Sequence, residues 1–175
     1  DFTLYELSKL SQSEKTAMTE EHLISPQMIN DNEGAVLVNK DKTMSIMLME
    51  EDHIRLQIIK GGYALDEAYD LADKVDDVME ESLTYAFDEK FGYLTACPTN
   101  AGTGMRASVM MHLPALVMTG NISRVLQSFS GMGIAVRGMY GEGTNADGAL
   151  YQISNSITLG LSEQEIIEKL KVVVN

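Results

Sequence analysis

Apolar and polar positions recur along the chain with a period that changes, and each change marks an element. Across residues 64–83 the apolar Leu65, Ala68, Ala72, Val75, Met79 and Leu83 return every three or four positions. That spacing predicts one amphipathic helix with Asp66, Asp70, Asp73, Asp77 and Glu80 turned to water. Residues 11–22 and 114–129 also read as helices; Pro26 follows the first, while the second is interrupted near Gly120 and ended by Gly131-Met132-Gly133. Ser162 and Glu165 form a capping box for a last helix. Shorter runs predict strands at 34–39 and 43–49, an antiparallel hairpin across Asn39-Lys40-Asp41-Lys42, and further strands at 53–59, 134–137 and 150–155. A second hairpin is predicted from 85–87 and 91–96 across Asp88-Glu89-Lys90.

Three polar stretches interrupt this pattern. The acidic triplet Glu50-Glu51-Asp52 precedes a strand with His53, Arg55 and Gln57 on one face and Ile54, Leu56 and Ile58 on the other. Such a triplet reads either as a solvated turn or as the lining of a polar cleft. Cys97-Pro98-Thr99-Asn100-Ala101-Gly102-Thr103-Gly104-Met105-Arg106 lies between the apolar runs 91–96 and 105–113, which places it at the end of two strands, a common position for chemistry. The third, glycine-rich stretch runs from Gly138 to Gly148 and suits either a loop that closes over a ligand or a mobile surface loop.

Composition narrows the choices. At 175 residues, 45% apolar and 22% charged, the chain is long enough for one domain with a substantial core. No apolar run is long enough to cross a bilayer, and no signal peptide opens the chain. It starts at Asp1 without an initiator methionine, so the expectation is an excised part of something longer. A net charge of -13, with no basic run, argues against nucleic acid and anionic membranes as partners. One cysteine forbids an internal disulfide and fits a reducing compartment, so a cytoplasmic location is expected. Cys97 is either a buried small hydrophobe or a partly exposed thiol activated by neighbouring positive charge. Of four arginines, Arg55, Arg106 and Arg137 sit in motif-like stretches and only Arg124 in ordinary helical pattern. Gathered together, those three would make an anion site; apart, each would pair with a surface carboxylate. No Walker-type or Gly-x-Gly-x-x-Gly motif occurs, nor any zinc spacing, so a phosphate site would have to be built from arginines.

Taken in order, Glu50-Glu51-Asp52-His53-Ile54-Arg55, Cys97-Pro98-Thr99-Asn100 through Gly104-Met105-Arg106-Ala107-Ser108, Arg137-Gly138 with Glu142, and Ile153-Ser154-Asn155 resemble the ATP:guanidino phosphotransferases, the phosphagen kinases. This is the family of creatine kinase and arginine kinase. His22-Leu23-Ile24-Ser25-Pro26, Met110-Met111-His112-Leu113-Pro114-Ala115-Leu116 and Tyr140-Gly141-Glu142-Gly143 are most similar to its bacterial branch, which phosphorylates arginine residues of proteins. Essentially the whole chain is covered. The resemblance implies an α+β fold, an antiparallel sheet flanked by helices in the glutamine-synthetase-like manner, as a single catalytic domain over 1–175 truncated at both ends. By motif, Glu51 and Glu142 match the carboxylates that hold the acceptor guanidinium, and Cys97 matches the active-site cysteine. Arg55, Arg106 and Arg137 match the phosphate-clamping arginines, and His22 falls where the family contacts the nucleotide. Ala107, Ser108, Val109 and Met110, with Gly138, Met139, Tyr140, Gly141 and Glu142, would supply the rest of the ATP site. No protein ligand to a metal is implied; Mg2+ would be held mainly by nucleotide phosphates and water.

The chemistry is consistent with those roles. A guanidinium keeps its proton to a pKa above about 12, so it becomes a nucleophile only where carboxylates orient it and accept a proton. Arginines and magnesium would meet the charge on the transferring phosphoryl group. Met49 stands where the family usually has asparagine, and Gln152 replaces the aspartate of small-guanidine kinases, which favours the bacterial branch. The family's upstream Ser-Ser-Arg-x-Arg motif is not in the chain, so weak Mg-ATP binding and poor transfer by these residues alone are expected. The expected function is transfer of the ATP γ-phosphate to arginine side chains of proteins. A free-arginine kinase, a nucleotide-binding regulatory module without catalysis and an acidic adaptor are the alternatives, and a homo-oligomer is left open.

Overall fold

The computed structural model describes residues 1–138 and 147–175. They divide into two compact units, Asp1–Thr84 and Tyr85–Asn175.

In the first unit, strands β1 (Phe2–Glu6), β2 (Ala35–Asn39), β3 (Met44–Leu48) and β4 (Ile54–Ile58) form an antiparallel sheet in the order β1-β2-β3-β4. The predicted hairpin is present, one residue shorter at each outer end. Its turn is closed by Asn39, whose Oδ1 accepts from the amides of Thr43 and Met44 at 3.0 and 2.9 Å. Helix α1 (Gln12–Glu20) begins at a capping box in which Ser11 Oγ accepts from the Glu14 amide and the Glu14 carboxylate accepts from the Ser11 amide. It ends before His22, whose φ of 57° is left-handed. Val36, Val38 and Met47 of the sheet pack with Leu7, Met18, Leu23, Ile24 and Met28 into one core. Helix α2 (Leu65–Glu80) follows the predicted stripe and packs against β4.

In the second unit the predicted 85–87/91–96 hairpin contracts to β5 (Phe87–Asp88) and β6 (Gly92–Tyr93), with Phe87 and Tyr85 edge-on to the Tyr93 ring. Past β6 the Leu94 amide still donates to the Ala86 carbonyl at 2.7 Å, while Tyr93 exchanges both its main-chain hydrogen bonds with Gly102, nine residues on, on the opposite edge. Strands β7 (Ser108–His112), β8 (Ile134–Arg137) and β9 (Leu150–Asn155) make an antiparallel sheet with β9 central. The long helix breaks as predicted, into α3 (Pro114–Met118) and α4 (Ile122–Phe129), and Gly120 between them has a φ of 69°. Helix α5 (Glu163–Val174), capped by Ser162 and Glu165, buries Ile166, Ile167 and Leu170 and packs on β9. Antiparallel sheets flanked by helices make this the expected α+β fold.

Candidate active site

The 97–106 loop is held from two sides of the second unit. Gly102 bonds Tyr93 through both its main-chain groups, at 2.8 and 3.2 Å. Thr158 grips the loop from the other side: its carbonyl accepts from the Thr103 amide at 3.0 Å, and its Oγ1 lies 2.7 Å from the Ala101 carbonyl and 2.9 Å from that of Thr99. Between these supports only glycine fits. Gly102 has a φ of 105°, and a Cβ there would stand 2.3 Å from the Thr158 carbonyl oxygen. Cys97 is half-buried, with its Sγ 3.0 Å from Thr99 Oγ1, so it is not a core thiol.

Arg106 is placed by the residues on either side of it. The Asn155 amide, at the end of β9 and 4% exposed, donates to the Met105 carbonyl at 3.0 Å and accepts from the Ala107 amide at 2.8 Å. A third bond runs from Asn155 Nδ2 to the Ile157 carbonyl at 3.1 Å. Arg137 ends β8 opposite Gln152. Arg106 and Arg137 line one cavity of about 290 Å³, together with Asn100, Asn155 and Thr158. That volume is at the small end of ligand cavities and suits phosphoryl groups better than a whole nucleotide. Ser108, Val109 and Met110 lie in β7, where Ser108 Oγ accepts from Gln152 Nε2 at 3.1 Å; Gly138 follows β8 and is buried. Met139, Tyr140, Gly141 and Glu142 lie outside the described residues.

His22, Glu51 and Arg55 belong to the first unit. The β4 alternation puts Arg55 and Gln57 on one face, and Gln57 Nε2 donates to the His22 carbonyl, tying the His22 turn to that face. The acidic triplet is not uniformly solvated. Met49, with a φ of 61°, closes a turn to the His53 carbonyl. Beyond it Glu51 is exposed, whereas the Glu50 side chain is only 6% exposed and lies 3.1 Å from Arg55 Nη1. Burial pushes the Glu50 carboxyl up, but the Ser25 hydroxyl, the Glu51 amide and the Arg55 guanidinium outweigh it, leaving it below the ordinary glutamate value. The Ser25 Oγ makes no hydrogen bond of ordinary geometry, so the amide and the guanidinium are the defined contacts.

Reading the sequence did not single out Thr158 and gave Asn155 and Glu50 no role of their own. Asn155 and Glu50 stand inside quoted motifs, which is a signal; Thr158 has none, because its partners are main-chain carbonyls 57 and 59 residues away. Among the described residues no three of His, Cys, Asp and Glu gather as a metal site, and no helix is long and apolar enough to cross a membrane.

A protein-arginine kinase of Caldanaerobacter subterraneus subsp. tengcongensis is 58% identical over 171 residues, covering 97% of this chain and 51% of that protein. A protein-arginine kinase of Clostridium acetobutylicum is 56% identical over 175 residues, 99% of this chain and 52% of that protein. The chain therefore spans about half the length of these relatives. Among solved structures, the duplicated taurocyamine kinase from Schistosoma mansoni with bound transition state analog components superposes with a TM-score of 0.87 at 26% identity, covering 99% of this chain and 25% of that one. Lombricine kinase superposes with a TM-score of 0.83, also at 26% identity, over 99% of this chain and 52% of that one. The family model described as ATP:guanido phosphotransferase, C-terminal catalytic domain, matches residues 1–175. With that catalytic domain matching from the first residue to the last, the chain belongs to the ATP:guanido phosphotransferase family.

Proposed function

We propose that the chain carries the catalytic chemistry of a kinase that moves the γ-phosphate of ATP onto the guanidinium of arginine residues in proteins. The observation that carries this reading is the convergence of Arg106 and Arg137 on one small cavity in a protein of net charge -13. Two guanidiniums in an otherwise acidic chain fit a polyanion, and they present N–H pairs in the planar geometry that phosphate oxygens accept. The identity of 58% and 56% to proteins named protein-arginine kinase supports a protein-borne acceptor.

Arg55, Arg106 and Arg137 hold the phosphates, and His22 with the 107–110 and 138–142 segments completes the nucleotide contacts. Magnesium, carried on nucleotide phosphates and water, supplies further neutralisation of charge. Glu51 and Glu142 grip the acceptor guanidinium, orient one nitrogen toward the γ-phosphorus and take up the proton released as the N–P bond forms. The bond from the γ-phosphorus to the β–γ bridging oxygen breaks and ADP leaves. Cys97 is the sulfur neighbour of the guanidinium. A single cysteine suits the reducing cytoplasm as the place of action. Glu51→Gln in the complete protein tests the assignment: it abolishes transfer to an unfolded arginine-containing protein and leaves Mg-ATP affinity intact. Retained transfer would remove Glu51 from the chemistry, and lost ATP binding would move it to the nucleotide site.

A further inference from the structure

We propose that Glu50 is a positioning residue for phosphoryl transfer, one carboxylate that sets the Arg55 side chain with one oxygen and the Glu51 main chain with the other. The proposal rests on the reading of Arg55 as a phosphate contact and Glu51 as a guanidinium contact. Glu50 Oε1 accepts from Arg55 Nη1 at 3.1 Å, and Glu50 Oε2 accepts from the Glu51 amide at 2.9 Å. The two contacts use different oxygens, so neither group can shift without moving the carboxylate that holds the other.

Burial separates this arrangement from an ordinary surface pair. The Glu50 side chain is 6% exposed against 46% for Arg55. A solvated acidic turn would leave its carboxylates in water, and an exposed ion pair fixes little because both side chains remain free to swing. Here the carboxylate is enclosed and the arginine is half out. The guanidinium has five N–H donors, of which Nη1 meets Glu50, so it is anchored at one edge while its outer part faces solvent. That is the geometry of a side chain pre-set for an anion, because the rotamer entropy of a long arginine is lost on folding and not on binding. The turn before it serves the same end. Met49 at a φ of 61° and its bond to the His53 carbonyl fold the chain so that the first carboxylate of the triplet turns inward and the second remains exposed.

Steady-state kinetics on the complete protein test this. Glu50→Gln keeps the shape and an acceptor for the Glu51 amide but removes the charge from Arg55. It raises the KM for Mg-ATP about tenfold, the loss expected when a charged hydrogen bond is made neutral, and leaves the KM for the arginine-containing acceptor unchanged. Glu50→Ala removes both contacts and raises both KM values. In an Arg55→Ala background, Glu50→Gln adds nothing to the KM for Mg-ATP. Partial unfolding is distinguished by its own signature, a lower kcat with both KM values unmoved. If Arg55→Ala alone leaves the KM for Mg-ATP unchanged, the reading of Arg55 as a phosphate contact fails. If Arg55→Ala raises it but Glu50→Gln does not, or the two effects multiply in the double variant, that reading stands and the positioning role of Glu50 is overturned. An acceptor KM unmoved in Glu50→Ala overturns the Glu51 half of the proposal.

Discussion

Asn155→Ala is the substitution whose cost follows most directly from the geometry around Arg106. The wild-type amide makes three side-chain bonds, to the Met105 and Ile157 carbonyls and from the Ala107 amide, at 3.0, 3.1 and 2.8 Å. Two donated bonds and one accepted bond also fix which way the amide points. Alanine leaves three main-chain groups without that partner in a partly buried setting. The orphaned Ala107 N–H alone costs about 1–3 kcal/mol, and the two carbonyls, each with a second lone pair, add less, so the total is about 2–4 kcal/mol. For a urea slope of about 2 kcal/mol/M, the unfolding midpoint falls by roughly 1–2 M with the slope unchanged. Because two of the lost bonds flank Arg106, the KM for Mg-ATP rises as well. Asn155→Asp is the companion variant: it keeps an acceptor for the Ala107 amide but sets a carboxylate oxygen against two carbonyls, and it is at least as damaging. A loss below about 0.5 kcal/mol in Asn155→Ala, or a neutral Asn155→Asp, would refute the clamp.

Other substitutions probe other supports. Gly102→Ala places a Cβ 2.3 Å from the Thr158 carbonyl oxygen at a φ of 105°, and it destabilises by about 3 kcal/mol or more in denaturant melts; Gly61→Ala, with nothing within 4 Å, stays within about 0.5 kcal/mol, and equal effects of the two would sink the argument. Met49→Asn exchanges an exposed side chain at a φ of 61° for a residue at home there, and raises the melting temperature by about 2–4 °C; a lower value would contradict the strain. The lowered Glu50 carboxyl means the unfolded chain binds the proton more tightly. Its contribution to stability is therefore complete above the ordinary glutamate value of 4.5 and is lost as pH falls through the lower folded value. Melts across that acid range flatten in Glu50→Gln, and an unchanged acid slope would show that Glu50 does not supply it.

What could be read ahead of the structure was what local pattern determines. The α2 stripe, the break at Gly120, the ends of β8 and β9 and the shared face of Arg55 and Gln57 follow from side-chain spacing or from one backbone preference. Strand β1 lies at the sheet edge with all five residues exposed, and pairing with β2 is what fixes it as a strand. The Asn155 clamp joins residues 48 and 50 positions apart, which no window of sequence contains. Glu50 and Glu51 are identical neighbours on paper. Only the turn at Met49, folded against Arg55, makes one a buried anchor and leaves the other exposed.

Phosphorus NMR of the complete protein, incubated with Mg-ATP and offered an unfolded arginine-containing protein together with free arginine, reads the bond that the reaction makes. An acid-labile N–P signal on the protein acceptor, lost in Glu51→Gln, is the result that follows from the proposed chemistry. Signal on free arginine alone, or no N–P signal while Mg-ATP remains bound, would contradict it.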